Sequence, residues 1–212
     1  MEFREFIGIS ENALSLEECK EIIDFFDSHS QDHVPGVVSV RGKDEVKVDP
    51  SIKESIDLFR NFTQEDIPEK LIVKAMNTCM PQYEKKFNAL KKVEMWDAHL
   101  NYNIRKYDPG MGYFAEHCEM HGLGNGCDRL MAWMVYLNDV EDGGETYFTS
   151  QDIKITPKAG SFIVWPAYWT HPHHGLVSNT QTKYIATGWF TFLPKQQLSA
   201  IKSRVAALKL IA

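Results

Sequence analysis

No stretch of this sequence approaches the roughly 20 apolar residues that a membrane-spanning helix needs, so no membrane partner is expected. The opening, Met1 to Glu11, carries Glu2, Glu5 and Glu11 without a long apolar run, which fits neither a secretory signal nor a transit peptide. Cysteine is scarce: Cys19, Cys79, Cys118 and Cys127 show no CxxC spacing and read as free thiols in a reducing cytoplasm, the expected location. Cys118 and Cys127 flank a glycine-rich segment and remain open as a shared site. An excess of positive charge is missing too. With 29 acidic and 23 basic side chains the net charge is −6, so the surface offers no broad footprint for nucleic acid, and none is expected as a partner. There is no internal repeat and no low-complexity tract.

What is present suits one domain of 212 residues, long enough to bury its own core. Aromatic side chains make up 12% of the chain, enough to fill the interior of a β-sandwich with large rings. The first half reads as helical. Ser15-Leu16-Glu17-Glu18 has the form of a capping box, and Leu16, Cys19, Ile22, Ile23 and Phe26 follow at helical spacing. A second helix is expected over Pro68 to Leu90, with Leu71, Ala75, Cys79, Tyr83 and Phe87 on one stripe and a kink at Pro81. Between the two, Pro35 to Asp49 is polar with scattered valines, as in a loop or an irregular edge hairpin.

After about Lys92 short strands follow one another: Ala98 to Ile104, Met131 to Asn138, Ile153 to Ile155, Ser161 to Pro166 and Lys183 to Leu193. Helices first and strands after give an α+β domain. The expected layout is a single domain, 1–212. Residues 1–91 are mainly helical support with a possible lid at 33–49, 92–195 form the β core, and 196–212 form a C-terminal helix.

A metal that must accept a bidentate cosubstrate and O2 needs three protein ligands on one face. Two imidazoles and a carboxylate suit non-haem Fe(II). The usual sequence form is a His and a carboxylate two apart on a strand, which the pleat turns to one side, plus a distant His. His117-Cys118-Glu119 supplies such a pair; alone it is a weak signal. His171-Pro172-His173-His174 packs three of the eight histidines into four positions. Strand parity puts His171 and His173 on one face and His174 on the other, and leaves the choice between the first two open. A competing reading is a structural zinc site of His117, Cys118, His121 and Cys127, which would leave His173 and Lys183 unexplained.

Around these residues lies an ordered series. Tyr107-x-x-Gly110-x-x-Tyr113 precedes His117; Arg129, Tyr136-Leu137-Asn138, Gly143-Gly144-Glu145-Thr146 and Pro157-Lys158-Ala159-Gly160 follow. His173-x-Gly175, Lys183 ten residues after His173, and Trp189 close it. Over roughly Tyr102 to Leu193 the chain resembles the prolyl-4-hydroxylase family of 2-oxoglutarate oxygenases, in particular its short viral and bacterial members. It departs from the family in having Glu119 where Asp is usual and Ala132 where Thr is common.

The resemblance implies a double-stranded β-helix core of jelly-roll or cupin type, buttressed by N-terminal helices. Its ten-residue offset selects His173, giving the ligand set His117, Glu119 and His173, with His171 left as a supporting or strand-end residue. It implies Fe(II), 2-oxoglutarate as cosubstrate and O2, with ascorbate supporting activity. Lys183 would pair with the far carboxylate of 2-oxoglutarate, Tyr107 and Tyr136 would donate hydrogen bonds to it, and Trp189 would pack nearby. The implied reaction hydroxylates a C–H bond, in a proline-containing peptide or protein, and releases succinate and CO2. The carboxylate of Glu119 fills the position that chloride takes in halogenating relatives, so hydroxylation is expected. Two readings compete: the same chemistry on a free amino acid or other small molecule, and a non-catalytic β-helix domain that binds metal or peptide. The sequence carries no signal for oligomeric state, and a viral origin would place the protein in the host-cell cytoplasm.

Overall fold

The computed structural model describes residues 1–40, 43, 45–93, 95–120 and 128–192; the helix expected over 196–212 lies outside them. In chain order β1 (Glu2–Arg4) and β2 (Ile7–Ser10) lead into α1 (Leu16–Ser28). Five short strands follow: β3 (Val34–Pro35), β4 (Val38–Ser39), β5 (Val46–Lys47), β6 (Lys53–Glu54) and β7 (Ile56–Asn61). After α2 (Ile67–Lys86) come β8 (Trp96–Ala98), β9 (Asn101–Tyr107), β10 (Gly112–Tyr113) and β11 (Arg129–Tyr136). The last are β12 (Thr146–Phe148), β13 (Ile153–Ile155), β14 (Phe162–Pro166), β15 (His173–Gly175) and β16 (Lys183–Phe192).

Ser15 fixes the start of α1 as its sequence requires: its hydroxyl accepts from Glu18 N–H, and the Glu18 carboxylate accepts from Ser15 N–H. Cys19, Ile22 and Phe26 of α1 are buried, as are Ile72, Ala75, Met76, Cys79 and Tyr83 of α2. Pro81 lies inside α2, which ends four residues short of Leu90 and gives way to a 3-10 turn over Asn88–Lys92. No described helix is long and apolar enough to cross a membrane.

The major sheet runs β1-β2-β14-β11-β16-β9-β7-β3, with β8 also paired to β16. A smaller layer, β13-β12-β15, faces it, extended by a bridge from His117 to His173 and by the β10–β6 pair. Two cores result. Phe26, Ile72, Tyr102, Ile104, Trp133 and Phe190 pack between the helices and the outer face of the major sheet. Tyr107, Tyr136, Phe148, Trp165 and Ile185 fill the space between the sheets. This is the expected α+β double-stranded β-helix. Side-chain alternation aims Lys183, Ile185, Thr187 and Trp189 of β16, and Asn103, Arg105 and Tyr107 of β9, into that inner space.

The structure differs from the sequence reading in residues 1–91, which hold seven strands besides the two helices. Four of them, β1, β2, β3 and β7, belong to the major sheet. In β2 all four residues are buried, so no alternation marks it. In β7 charged Asp57 and Arg60 occupy buried positions and hide the apolar pattern. Within 33–49, β3 joins the major sheet and β4 pairs antiparallel with β5, in keeping with an irregular edge hairpin.

Candidate metal centre

His117 and His173 exchange backbone hydrogen bonds, His117 N to His173 O at 3.0 Å and His173 N to His117 O at 2.9 Å. The bridge sets their rings side by side, with centroids 4.5 Å apart. Glu119 lies past the bridge and outside any strand, so the pleat expected to align it with His117 is not what does so. Its carboxylate reaches back instead: Oε1 is 3.7 Å from His117 Nε2 and 3.4 Å from His173 Nε2. Among the described residues, these three form a group whose ligand atoms lie within 4.8 Å of one another.

The surroundings aim the right atoms inward. His117 Nδ1 lies 3.0 Å from Ala115 O and His173 Nδ1 lies 3.0 Å from His171 O. Each Nδ1–H therefore donates to a carbonyl and leaves the Nε2 lone pair for a metal. Glu119 Oε2 accepts from Trp189 Nε1 at 2.8 Å, and Arg129 Nη1 stands 3.6 Å away, which leaves Oε1 for the centre. Burial pushes His117 below its ordinary value and the neighbouring His173 adds to this against the pull of Glu119, the direction that favours the neutral imidazole a ligand must be. Burial alone would raise the Glu119 carboxyl, but the two histidines outweigh it and hold it well below the usual range. Two imidazoles and one carboxylate fit non-haem Fe(II).

Lys183 stands opposite Tyr107 in the β16–β9 register and is 7% exposed. Its Nζ donates to Gly144 O at 2.9 Å and lies 4.9 Å from the Tyr107 ring centre. Gly143 and Gly144 both have positive φ, 77° and 76°, in the turn that delivers this carbonyl. Burial pushes the ammonium down to about 8 despite the opposing charge of Glu145. A buried ammonium is costly without an anion beside it, so the site fits one carboxylate of a dicarboxylate. Trp165 Nε1, in the same inner core, is buried and meets no hydrogen-bond partner among the described residues.

The other expected residues fall at different depths. Burial pushes Tyr107 up to about 12, with Arg105 opposing. The Tyr136 hydroxyl is engaged inside the core, 2.6 Å from Thr146 Oγ1 and 3.2 Å from Ile155 O. Trp189 touches the triad itself, and the Arg129 guanidinium covers its ring at 3.7 Å. His171 points away from the triad: its Nε2 meets Glu5 O at 2.8 Å, while its own carbonyl orients His173. Cys118 bonds to Met120 O at 3.3 Å. Cys127 and His121 lie outside the described residues, and with them part of the alternative zinc cluster.

Three residues that sequence reasoning missed form a charged wall beside the triad. Asp57 of β7 lies directly across from Arg105 of β9 and accepts from its Nε at 3.2 Å. Lys53 of β6 reaches the same carboxylate at 2.8 Å. Arg105 and Lys53 both lie within electrostatic reach of Glu119. Tyr113, 6.0 Å from Lys53 Nζ, stacks on His117 with centroids 3.7 Å apart. The available signal was charge at the inward positions of two otherwise apolar strands.

Residues 102–191 match the family model for the 2OG-Fe(II) oxygenase superfamily. No curated protein matches the sequence. Among solved structures, the viral collagen prolyl hydroxylase of Paramecium Bursaria Chlorella virus-1, as its 2OG complex, aligns at a TM-score of 0.61 and 22% identity, over 89% of this chain and 97% of that one. A Pseudomonas putida prolyl-4-hydroxylase aligns at 0.63 and 15% identity, over 89% and 94%. A Trichoplax adhaerens prolyl hydroxylase, in complex with a hypoxia inducible factor oxygen degradation domain peptide fragment, aligns at 0.67 and 17% identity, over 88% and 84%. These likenesses establish the shared fold, and the family match spans the strands that carry Tyr107, Tyr136, His173 and Lys183. Residues 102–191 are thus similar to the 2OG-Fe(II) oxygenase superfamily, and the chain shares the fold of these prolyl hydroxylases.

Proposed function

We infer that the protein hydroxylates a prolyl C–H bond within a peptide or protein and releases succinate and CO2, with His117, Glu119 and His173 as the Fe(II) ligands. The observation that carries the reading is this triad, with Phe148 and Trp165 of the inner core against His173 and buried Lys183 over Tyr107 of the same core. Iron, when bound, supplies the oxidising chemistry, driven by 2-oxoglutarate and O2 and supported by ascorbate. The chain's own residues position and exclude. Lys183 takes the far carboxylate of 2-oxoglutarate, and Tyr107 lies against that ammonium. Trp189 and Arg129 fix the second oxygen of Glu119. Phe148, Trp165 and Ile185 keep water from the inner space.

Support for a peptide substrate comes from a groove of about 360 Å³ that shares Lys53 with the charged wall and is walled also by Val34, Pro35, Val48 and Met111. One side of it is the 33–49 segment, suited to close over an extended chain. A proline-containing peptide enters such a groove with less entropy to lose, since its ring is already rigid. Incubation with Fe(II), 2-oxoglutarate, ascorbate and paired peptides tests this: the proline peptide should gain one oxygen atom and stimulate succinate release, and its alanine counterpart should do neither. Modification of free amino acids with no peptide ever changed would remove the prolyl assignment and leave the oxygenase. That second reading draws on the charged wall of Lys53, Asp57 and Arg105.

A further inference from the structure

The wall beside the triad is unlike the lining a prolyl ring needs. Lys53 and Asp57 are each 1% exposed, and the Arg105 side chain is 14% exposed. Asp57 is the only acidic side chain paired with either cation among the described ion pairs, and it serves both, Lys53 at 2.8 Å and Arg105 at 3.2 Å. Arg129 brings a third cation to the same corner, Glu119 a second carboxylate and Asp128, beside Arg129, a third. With Glu119 belonging to the metal set, three cations are left to two carboxylates. A divalent metal, with Glu119 and the chelating carboxylate of 2-oxoglutarate, would be neutral as a unit and leave that excess in place. The two charges of 2-oxoglutarate would not correct it here, because one end goes to the metal and the other to Lys183. Burial, and then the charge of Arg105, push Lys53 down to about 8, as expected where positive charge is in excess.

The wall is also reachable. Asn103, Arg105 and Tyr107 lie along the inner face of β9, and Phe59, opposite Asn103 in the register, is 53% exposed. Beyond Lys53 the groove opens. Arg105 spends its Nε on Asp57 and also contacts the Tyr107 side chain, and with the Asn103 amide turned so that both its ends are satisfied, Nη2 donates to its oxygen at 3.0 Å. A guanidinium carries five N–H donors, so this one can still bind an anion in a planar fork.

We propose that Arg105, backed by Lys53 across Asp57, is a specificity-determining residue that binds a carboxylate of the primary substrate, next to the carbon that is hydroxylated. This rests on the triad being the oxygenase centre. The carboxylate has two possible sources: an acidic side chain flanking the target residue in a peptide, or the α-carboxylate of a free amino acid.

Calorimetric binding and succinate formation distinguish them. The protein is loaded with Zn(II) and 2-oxoglutarate for binding, and with Fe(II) for turnover. The probes are proline-centred peptides with Glu or Gln on either side of proline, and each free amino acid against its amide. In at least one pair the acid should bind tenfold or more tighter than its neutral mate, and the pair that discriminates names the source. Arg105→Gln should cut that ratio to under twofold, and Arg105→Lys should keep part of it. A mere folding defect would weaken both members and leave the ratio in place. If no acid outperforms its neutral mate, including the case in which nothing binds, the inference is overturned. If the preferred acid contains no proline, the carboxylate site stands and the prolyl assignment fails.

Discussion

Single backbone carbonyls decide which nitrogen each histidine of the triad offers, and a tryptophan decides which oxygen Glu119 offers. Replacing His173 by Ala should therefore abolish metal binding while the fold survives, read by metal analysis and circular dichroism; full activity would exclude it as a ligand. Glu119→Asp should keep part of the activity, because one carboxylate remains on a shorter arm, although the Trp189 contact is lost. Lys183→Ala should weaken 2-oxoglutarate binding by more than a hundredfold, since breaking one side of a buried charge pair costs about 3–5 kcal/mol. Lys183 also sets a pH dependence. It faces Tyr107, Gly144 O and Glu145, and burial lowers it to about 8, so the charged form that binds a carboxylate is complete below that pH and lost above it. The affinity for 2-oxoglutarate should fall as pH rises through about 8 in the wild type and stay flat in Lys183→Arg, whose charge does not titrate there. An identical pH profile in both proteins would contradict the role.

At the scale of elements, legibility followed pattern. The capping box of α1, the buried stripe of α2 and the apolar run of β11 could be read because local periodicity and tertiary burial agree in them. β7 could not: Asp57 and Arg60 are buried in ion pairs with Lys53, Arg105, Asp66 and Glu69, partners that come from other elements. His117-Cys118-Glu119 was found by its spacing, yet the two ligands do not share a strand. A single bridge to β15 and a long side chain replace the pleat. Turns between elements are equally exacting. Gly160 has φ +78°, and a Cβ there would run into the Leu14 carbonyl oxygen, where Ala13 N donates to Gly160 O at 2.8 Å. Gly160→Ala should cost about 1–3 kcal/mol, seen as a lower midpoint in urea, because strain of this kind is stored locally. An unchanged midpoint would show that the α1 approach can shift freely.

Across the whole molecule, two layers of sheet hold the triad and Lys183 on facing walls, and the helices stiffen the outer face only. The α+β class was legible from the order of helical and alternating segments. The charged wall was not, because its residues come from β6, β7 and β9 and only tertiary pairing brings them together. The 33–49 ribbon belongs to the same scale: shortening it should impair peptide turnover more than uncoupled decay of 2-oxoglutarate, and equal loss of both would remove it as a cover. The central claim, that one inner space holds metal and cosubstrate together, is tested most directly by anaerobic calorimetry of 2-oxoglutarate. Tight binding should require both Fe(II) and an intact Lys183, and should vanish in His173→Ala. Binding that is undiminished without metal, or in Lys183→Ala, would contradict it.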